Sequence, residues 1–284
     1  MTDNNRQTLI DNDYKHATGK LEFNMTNNYM FIAILQESED ALRGLIAALL
    51  HMDPHDIKKI EYLNPIIIGE MINLKEYILD VNVMFNDNTI MNFEMQVKKQ
   101  VNWVERSISY LCREWDKINK GDDYIKAMNT FQISFLDHTL FDDRLKFYST
   151  YRLCDIEDGY QYSSKFNLCV IQLNHIDQAT DEDKHYGIDE WARLFKATTW
   201  EEIRMLAEKN EYIDSAAREM FVRGQDNKFI DLCRKTAEEI AGEEHRRQKL
   251  IEYEEIIARQ TKDLADKDEE IARLMAELKA AKEN

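Results

Sequence analysis

Residues 79–97, LDVNVMFNDNTIMNFEMQV, decide the fold that the sequence predicts. Apolar and polar side chains alternate through 77–85 and again through 90–97, and Asn86-Asp87-Asn88 separates the two runs. Alternation is typical of a half-buried strand, and Asn and Asp favour the tight turn that joins two antiparallel strands. The stretch therefore predicts a β-hairpin.

The alternation also predicts the register of this hairpin. Folding about position 87 places 80 opposite 94, 81 opposite 93 and 82 opposite 92, so that polar residues meet polar ones and apolar residues meet apolar ones. A slip of one residue would place Asp80 opposite an apolar side chain. One face of the hairpin then carries a polar set: Asp80, Asn82, Asn92, Glu94 and Gln96.

In this register Asp80 and Glu94 are direct neighbours. Two carboxylates paired across strands have Cβ atoms about 5 Å apart, where like charges are destabilising. A divalent cation would remove the repulsion, and carboxylates without His or Cys nearby suit Mg²⁺ or Mn²⁺. Gln96 lies on the same side as Glu94 and can orient a water molecule or a phosphoryl oxygen. The alternative is that this face is simply the solvated side of an antiparallel sheet.

The elements around the hairpin predict a mixed α/β core. Apolar residues at helical spacing over 28–51 predict one helix, or two helices divided near 37–40. The remaining predicted elements are strands over 57–63 and 130–136, extended segments near 145–153 and 166–173, and a helix over 102–120.

The two ends of the chain differ from this core. Residues 1–22 are polar and predict a disordered N-terminal arm. Residues 188–237 predict a helical region of several short helices, without a readable motif. Residues 238–284 predict a coiled coil and therefore a homo-oligomer, with a single solvated helix as the alternative. The heptad positions are Leu250, Ile257, Leu264, Ile271 and Leu278, with Tyr253, Leu274 and Ala281 at the second core position, which Gln260 and Lys267 interrupt.

Composition excludes several classes of protein. The formal net charge of -17 is unfavourable for a passive nucleic-acid binder, although an enzyme that acts through divalent metals is less constrained. The four cysteines form no Cys-x-x-Cys pair, which argues against zinc and disulfide frameworks. A phosphate-binding glycine loop and a nucleophile elbow are both missing from the sequence. Without a long apolar run or a signal peptide, we expect a cytoplasmic protein that does not enter the membrane.

Several motifs of this chain occur together in one known family. They are Lys75-x-x-x-Leu79-Asp80-Val81, Asn92-x-Glu94-Met95-Gln96, Arg106-x-x-x-Tyr110, Gly121-x-x-Tyr124 and Ile133-x-Phe135-Leu136. In these motifs, and in order over roughly residues 24 to 175, the sequence resembles the Rpn family of recombination-promoting nucleases and transposase-like proteins. That family belongs to the PD-(D/E)xK nuclease superfamily.

The resemblance implies a restriction-endonuclease-like core over 23–187, with a mixed sheet flanked by helices. It implies that Asp80 and Glu94 bind the metal and that they form the catalytic group together with Gln96. Gln96 stands where the superfamily usually has lysine, and glutamine cannot carry a positive charge. Asn28 is a departure, because the family often has an acid there in its first helix.

Basic residues near the hairpin are candidates for contacts with DNA phosphates. Arg106 and Arg113 lie on the helix predicted after the hairpin, and Lys98 lies at the end of its second strand. The resemblance singles out Arg106. The alternative for each is an ordinary solvated surface.

The predicted function is that of a Mg²⁺- or Mn²⁺-dependent DNA endonuclease associated with recombination and transposition. The alternative is a non-catalytic oligomeric scaffold or DNA-binding adaptor that keeps a degenerate nuclease fold. Asn28, Gln96 and the acidic charge favour the alternative, whereas the opposed Asp80 and Glu94 favour the enzyme.

Overall fold

The computed structural model describes residues 14–64, 80–100, 102–116 and 127–282. Contacts divide the chain into two units, Met1–Cys233 and Arg234–Asn284. The helices are α1 (Asn28–Glu37), α2 (Glu39–Leu50), α3 (Trp103–Trp115), α4 (Asp181–His185), α5 (Ile188–Lys196), α6 (Trp200–Ala207), α7 (Glu211–Gly224) and α8 (Asn227–Lys282). The strands are β1 (Ile60–Tyr62), β2 (Asp80–Phe85), β3 (Thr89–Gln96), β4 (Asn129–Leu136), β5 (Tyr148–Arg152) and β6 (Phe166–Gln172).

The strands form a mixed sheet of order β1-β2-β3-β4-β6-β5. β2 and β3 are antiparallel, and Asp80 pairs with Glu94, Val81 with Phe93 and Asn82 with Asn92. This confirms the register that the sequence predicts. β3, β4 and β6 run parallel to one another, so their carboxyl ends meet at one edge of the sheet.

The hairpin turn adopts the backbone that its residues favour. Asn86 and Asp87 have φ values of 50° and 57°, in the left-handed region that Asn and Asp tolerate better than most residues. The Asn86 side chain holds the turn in place, because its Oδ1 accepts a hydrogen bond from the Lys58 backbone N–H at 2.9 Å. The turn thereby connects the hairpin to the segment that leads into β1.

The first helical segment divides where the sequence predicts. Ser38 lies between α1 and α2 with extended backbone, and its hydroxyl accepts a hydrogen bond from the Ala41 N–H at 3.2 Å. A serine at this position begins a helix because it satisfies one of the first free N–H groups. The helix predicted over 102–120 is described as far as Trp115, and residues 117–126 lie outside the described residues.

The two faces of the sheet have different chemistry. The apolar face packs against α1, α2, α5 and α7 in the main core, where the ring of Phe31 lies 5.6 Å from Phe135 and 5.7 Å from Phe195. The opposite face carries Glu94 and is covered by α3, whose Trp103 packs on Leu136 and Val170. The sheet is therefore covered on both sides, by several helices on the apolar face and by α3 on the face that carries Glu94.

Residues 14–22, which the sequence assigns to a disordered arm, are packed in the structure. Tyr14 is buried and its hydroxyl donates a hydrogen bond to Asp214 Oδ1 at 2.5 Å. The Leu21 N–H donates to the Thr198 carbonyl, and Arg204 donates to the Ala17 carbonyl. The prediction was wrong for these residues because their order comes from contacts with α6 and α7, which local composition does not reveal.

The helices of residues 188–224 share the core with the sheet. Phe195 of α5 and Ile213 of α7 are fully buried in the same apolar cluster as Phe31.

Among the described residues, no helix combines the length and the apolar composition needed to cross a bilayer.

Helices α2 and α7 approach each other closely at Gly44 of α2. A Cβ atom added there would lie 2.2 Å from Tyr212 Cβ on α7, so a side chain must push the two helices apart. We expect Gly44→Ala to lower the free energy of unfolding by about 1–3 kcal/mol, measured by urea denaturation. Gly224→Ala is the matched control, because an added Cβ there meets nothing within 4 Å. The control should be neutral or slightly stabilising, since alanine favours a helix. Equal losses in both variants would contradict close helix packing as the cause.

Candidate active site

Glu94 lies on β3, the strand at which the antiparallel hairpin meets the parallel part of the sheet. Its backbone neighbours are Asp80 on β2 and Ser134 on β4. Glu94 is only 3% exposed, and Asn82 and Asn92 on the same face are 4% and 1% exposed. The solvated-surface alternative for this face is therefore wrong. A carboxylate buried to this degree requires compensation by a charge or by hydrogen bonds.

Part of that compensation comes from Arg106 on α3. Its Nη2 donates to Glu94 Oε1 at 3.1 Å, and its Nη1 donates to Gln100 Oε1 at 3.1 Å. The guanidinium also lies over the ring of Tyr110, 5.2 Å from the ring centroid. The sequence predicts that Arg106 contacts DNA phosphates, whereas the structure places it on the acid that is predicted to bind metal. A third of its side chain remains exposed.

Gln96 follows Glu94 at the carboxyl end of β3 and is partly exposed. Its Nε2 donates a hydrogen bond to the Lys98 carbonyl at 2.8 Å. The amide is thereby held by the residues that continue its own strand. Glutamine stays neutral at every pH at which the protein is folded, so position 96 itself supplies no positive charge.

A second polar group on the same face extends from Glu94 into the sheet. We call Asn82, Asn92, Gln132 and Ser134 the buried polar row; they are 4%, 1%, 1% and 0% exposed. Asn92 Nδ2 donates to Gln132 Oε1 at 2.9 Å. Four other atoms of the row have no hydrogen-bond partner among the residues that the structure describes. They are Asn82 Oδ1, Asn92 Oδ1, Gln132 Nε2 and Ser134 Oγ.

The buried polar row is costly for a purely structural feature. Each buried polar atom left without a hydrogen bond costs about 1–3 kcal/mol, so native proteins keep few of them. Gln132 and Ser134 were not among the predicted site residues. The alternation of Thr130, Gln132 and Ser134 with Phe131, Ile133 and Phe135 in β4 was the signal that could have found them.

The other predicted DNA-contacting residues lie near the site without joining it. Lys98 is exposed, just beyond β3. Arg113 is exposed on α3, with its guanidinium 5.8 Å from the centroid of the Tyr110 ring. Asn28 begins α1, and Phe31 on the same helix packs on the apolar face of the sheet, opposite to Glu94.

His138 lies just after β4, at the edge where the parallel strands end. Burial lowers the pKa of its imidazole, the Val97 backbone opposes this in part, and the charges of Lys99 and Asp137 have smaller effects, the first lowering and the second raising the pKa. A cavity of about 260 Å³ lies on another part of the face that α3 covers. That cavity is lined mainly by apolar side chains such as Ile108, Phe141 and Leu168, so it does not suit phosphodiester chemistry.

The residues around Glu94 fit a divalent cation by their chemistry. Carboxylate, amide and hydroxyl oxygens are the donors that Mg²⁺ and Mn²⁺ prefer, and this face offers all three. The described residues contain no cluster of three His, Cys, Asp or Glu side chains that could hold a metal by itself. A cation here would depend on Glu94, on Asp80 in the paired position of β2, and on water.

Comparison with known proteins places this geometry in a family. The model of the PD-(D/E)XK nuclease family transposases matches residues 26–245, more than half of the chain. The chain belongs to this family. No curated protein and no solved structure matches it. Membership accounts for the mixed sheet with its flanking helices and supports a nuclease-type function. The family match also extends through α5, α6 and α7, well beyond the domain end predicted at 187.

Proposed function

We propose that this PD-(D/E)XK family protein is a DNA endonuclease that depends on Mg²⁺ or Mn²⁺ and hydrolyses phosphodiester bonds. The observation that carries the proposal is that Asp80 pairs with a buried Glu94 on a central strand of the sheet. An acid is rarely kept in such a place for stability alone, because desolvation disfavours its charged form.

The residues would divide the work as follows. Asp80 and Glu94 would hold the cation, which would supply an acidified water molecule and neutralise charge on the phosphate. Gln96 orients the attacking water through its amide. Arg106, which donates to Glu94 and keeps a third of its side chain exposed, would bind a phosphate oxygen of DNA beside this carboxylate.

Exposed cations would hold the DNA backbone beside this centre. Lys98 and Arg113 are both exposed, next to the end of β3 and on α3 respectively. Contacts of this kind position DNA without reading its sequence. The overall charge of -17 opposes passive binding. Each phosphate contact made by a basic side chain releases counterions, so we expect DNA affinity to fall as the salt concentration rises.

A non-catalytic oligomeric scaffold or DNA-binding adaptor is the competing function. The neutral Gln96 and the ion pair of Arg106 with Glu94 favour it, because both are compatible with a site that holds no metal. Incubation of the full-length protein with supercoiled plasmid, with and without Mg²⁺ or Mn²⁺, separates the two functions. The endonuclease produces nicked and linear DNA only with the cation. Intact plasmid with every cation would reject the endonuclease in favour of the scaffold.

The C-terminal unit, Arg234–Asn284, has the features of an oligomerisation element. In α8, apolar residues that recur every seven positions are half or more exposed: Leu250, Ile257, Leu264 and Ile271. A stripe of this kind is covered when a second copy packs against it. We therefore propose a coiled-coil homo-oligomer through α8.

A charge introduced at a core position of α8 tests the coiled coil. We expect Leu264→Lys to reduce the mass measured by light scattering to that of a monomer, because a charge at a core position must be desolvated. Asp266→Lys, off the predicted seam, should keep the oligomer. Truncation after residue 245 should also give a monomer. A wild-type protein that is already monomeric would leave α8 as a single solvated helix.

A further inference from the structure

The buried polar row lies next to the proposed metal-binding acids. Backbone pairing sets Ser134 beside Glu94, and Asn92 beside both Asn82 and Gln132. Residues paired across strands have Cβ atoms about 5 Å apart, and residues two apart along a strand are about 7 Å apart. Ser134 is therefore the direct cross-strand neighbour of Glu94 on this face, Asn92 lies two residues before it on β3, and Asn82 and Gln132 are its diagonal neighbours.

We propose that Asn82, Asn92 and Ser134 of the buried polar row form an outer-sphere site, whose oxygens would accept hydrogen bonds from water molecules bound to a divalent cation at Asp80 and Glu94, while Gln132 orients Asn92. The inference rests on the proposed metal-dependent function and adds a role for residues outside the catalytic group. Mg²⁺ keeps several of its water ligands when it binds to proteins. Those water molecules can only donate hydrogen bonds to the protein, so they require acceptor oxygens around the metal.

The partnerless atoms of the row match this requirement. Three of the four are oxygens that can accept: Asn82 Oδ1, Asn92 Oδ1 and Ser134 Oγ. Each belongs to a side chain that is more than nine-tenths buried, so bulk solvent does not satisfy it. The pair of Asn92 with Gln132 fixes the orientation of both amides, which leaves the Asn92 oxygen available for a water molecule.

Buried amides elsewhere in the same sheet are saturated. Asn167 Nδ2 donates to the Ser164 carbonyl, and Asn167 Oδ1 accepts from Arg152 Nε. Gln172 Nε2 donates to the Lys146 carbonyl, and its Oε1 accepts from the Leu140 N–H. Both residues lie on β6, away from Glu94. Unused hydrogen-bonding capacity is therefore found around Glu94 on β2, β3 and β4, and not at the buried amides Asn167 and Gln172 of β6.

Two serines of the same face provide a matched test. Ser134 and Ser149 are both buried, and each pairs with Val170 of β6 from one of its two sides. Ser134 lies beside Glu94, whereas Ser149 lies three strands away from it. We expect Ser134→Ala to weaken the binding of Mn²⁺ by about 10-fold in isothermal titration calorimetry, as removal of outer-shell partners does in other metal sites. Ser149→Ala should bind Mn²⁺ like the wild type.

A second variant separates a metal-directed role from a structural one. Asn92→Leu/Gln132→Leu removes the amide pair together, so no half of it is left buried alone. We expect this variant to keep its melting temperature without metal, because replacing both partners by apolar groups is nearly neutral. Its Mn²⁺ affinity should fall by about 10-fold or more.

The possible outcomes distinguish the inference from the proposed function. If Glu94→Gln abolishes Mn²⁺ binding while Ser134→Ala and the double variant bind like the wild type, the outer-sphere role is wrong and the metal site stands. A lower melting temperature with unchanged Mn²⁺ affinity would also overturn it, in favour of a structural role. A wild-type protein that binds no Mn²⁺ would overturn both proposals.

Discussion

Replacing Glu94 by glutamine is expected to lower the rate of cation-dependent DNA cleavage by at least about 100-fold, with the protein still folded. Glutamine has nearly the same shape as glutamate, so the packing under α3 is preserved. The variant loses the negative charge that would hold the cation. The rate of plasmid nicking under saturating Mg²⁺, together with a circular dichroism spectrum, measures both parts of this prediction.

The matched control for Glu94 is Glu105→Gln. Glu105 is exposed on α3, directly before Arg106 in the sequence, and the change removes the same single negative charge. Its cleavage rate should stay within about twofold of the wild type, because exposed charges contribute little. Equal rates in the wild type and in Glu94→Gln would exclude Glu94 from the active centre and return the scaffold as the leading function.

Removing Arg106 is the second change with a large expected effect. Without metal, Arg106→Ala leaves the buried Glu94 carboxylate without its guanidinium. We expect the free energy of unfolding to fall by about 2 kcal/mol, between the values typical of surface and buried pairs, because Arg106 is partly exposed. The guanidinium and a cation would compete for the same carboxylate, so the variant should bind Mn²⁺ more tightly than the wild type.

Because a bound ligand stabilises the folded state, this competition can be measured as a rise in melting temperature when Mn²⁺ is added. A ligand at ten times its dissociation constant stabilises the folded state by about 1.4 kcal/mol, and by more as affinity rises. Mn²⁺ should therefore raise the melting temperature of Arg106→Ala more than that of the wild type. Arg113→Ala, which loses a cation over the same Tyr110 ring, is the control and should show no extra rescue. An identical loss of stability with and without Mn²⁺ would mean that the cation does not use Glu94.

Local patterns in the sequence were sufficient for the hairpin and its register. The alternation of Val81, Val83 and Phe85 with polar residues has a period of two, and a shift by one residue would reverse every side chain. The division of α1 from α2 at Ser38 was also predictable, because a serine that caps a helix acts on the N–H groups next to it. Both features depend on neighbours in the chain.

The environment of the candidate site was not predictable in the same way. The sequence places Glu94 on the polar face of the hairpin. It does not reveal that α3 buries this face or that Arg106 donates a hydrogen bond to the Glu94 carboxylate. Gln132 and Ser134 join the site through the parallel pairing of β3 with β4, which connects positions about 40 residues apart. The spacing of residues near Glu94 in the sequence therefore does not indicate which residues of β4 lie beside it.

By itself, the sequence determined the strands, the facing positions of Asp80 and Glu94, and the family. Periodicity and motif spacing are written into consecutive residues, so they survive without coordinates. Only the tertiary structure decided that Glu94 is buried, that Arg106 neutralises it, and that residues 14–22 are packed and not disordered. Burial and ion pairing depend on which distant segments cover a residue, and that information exists only once the chain has folded.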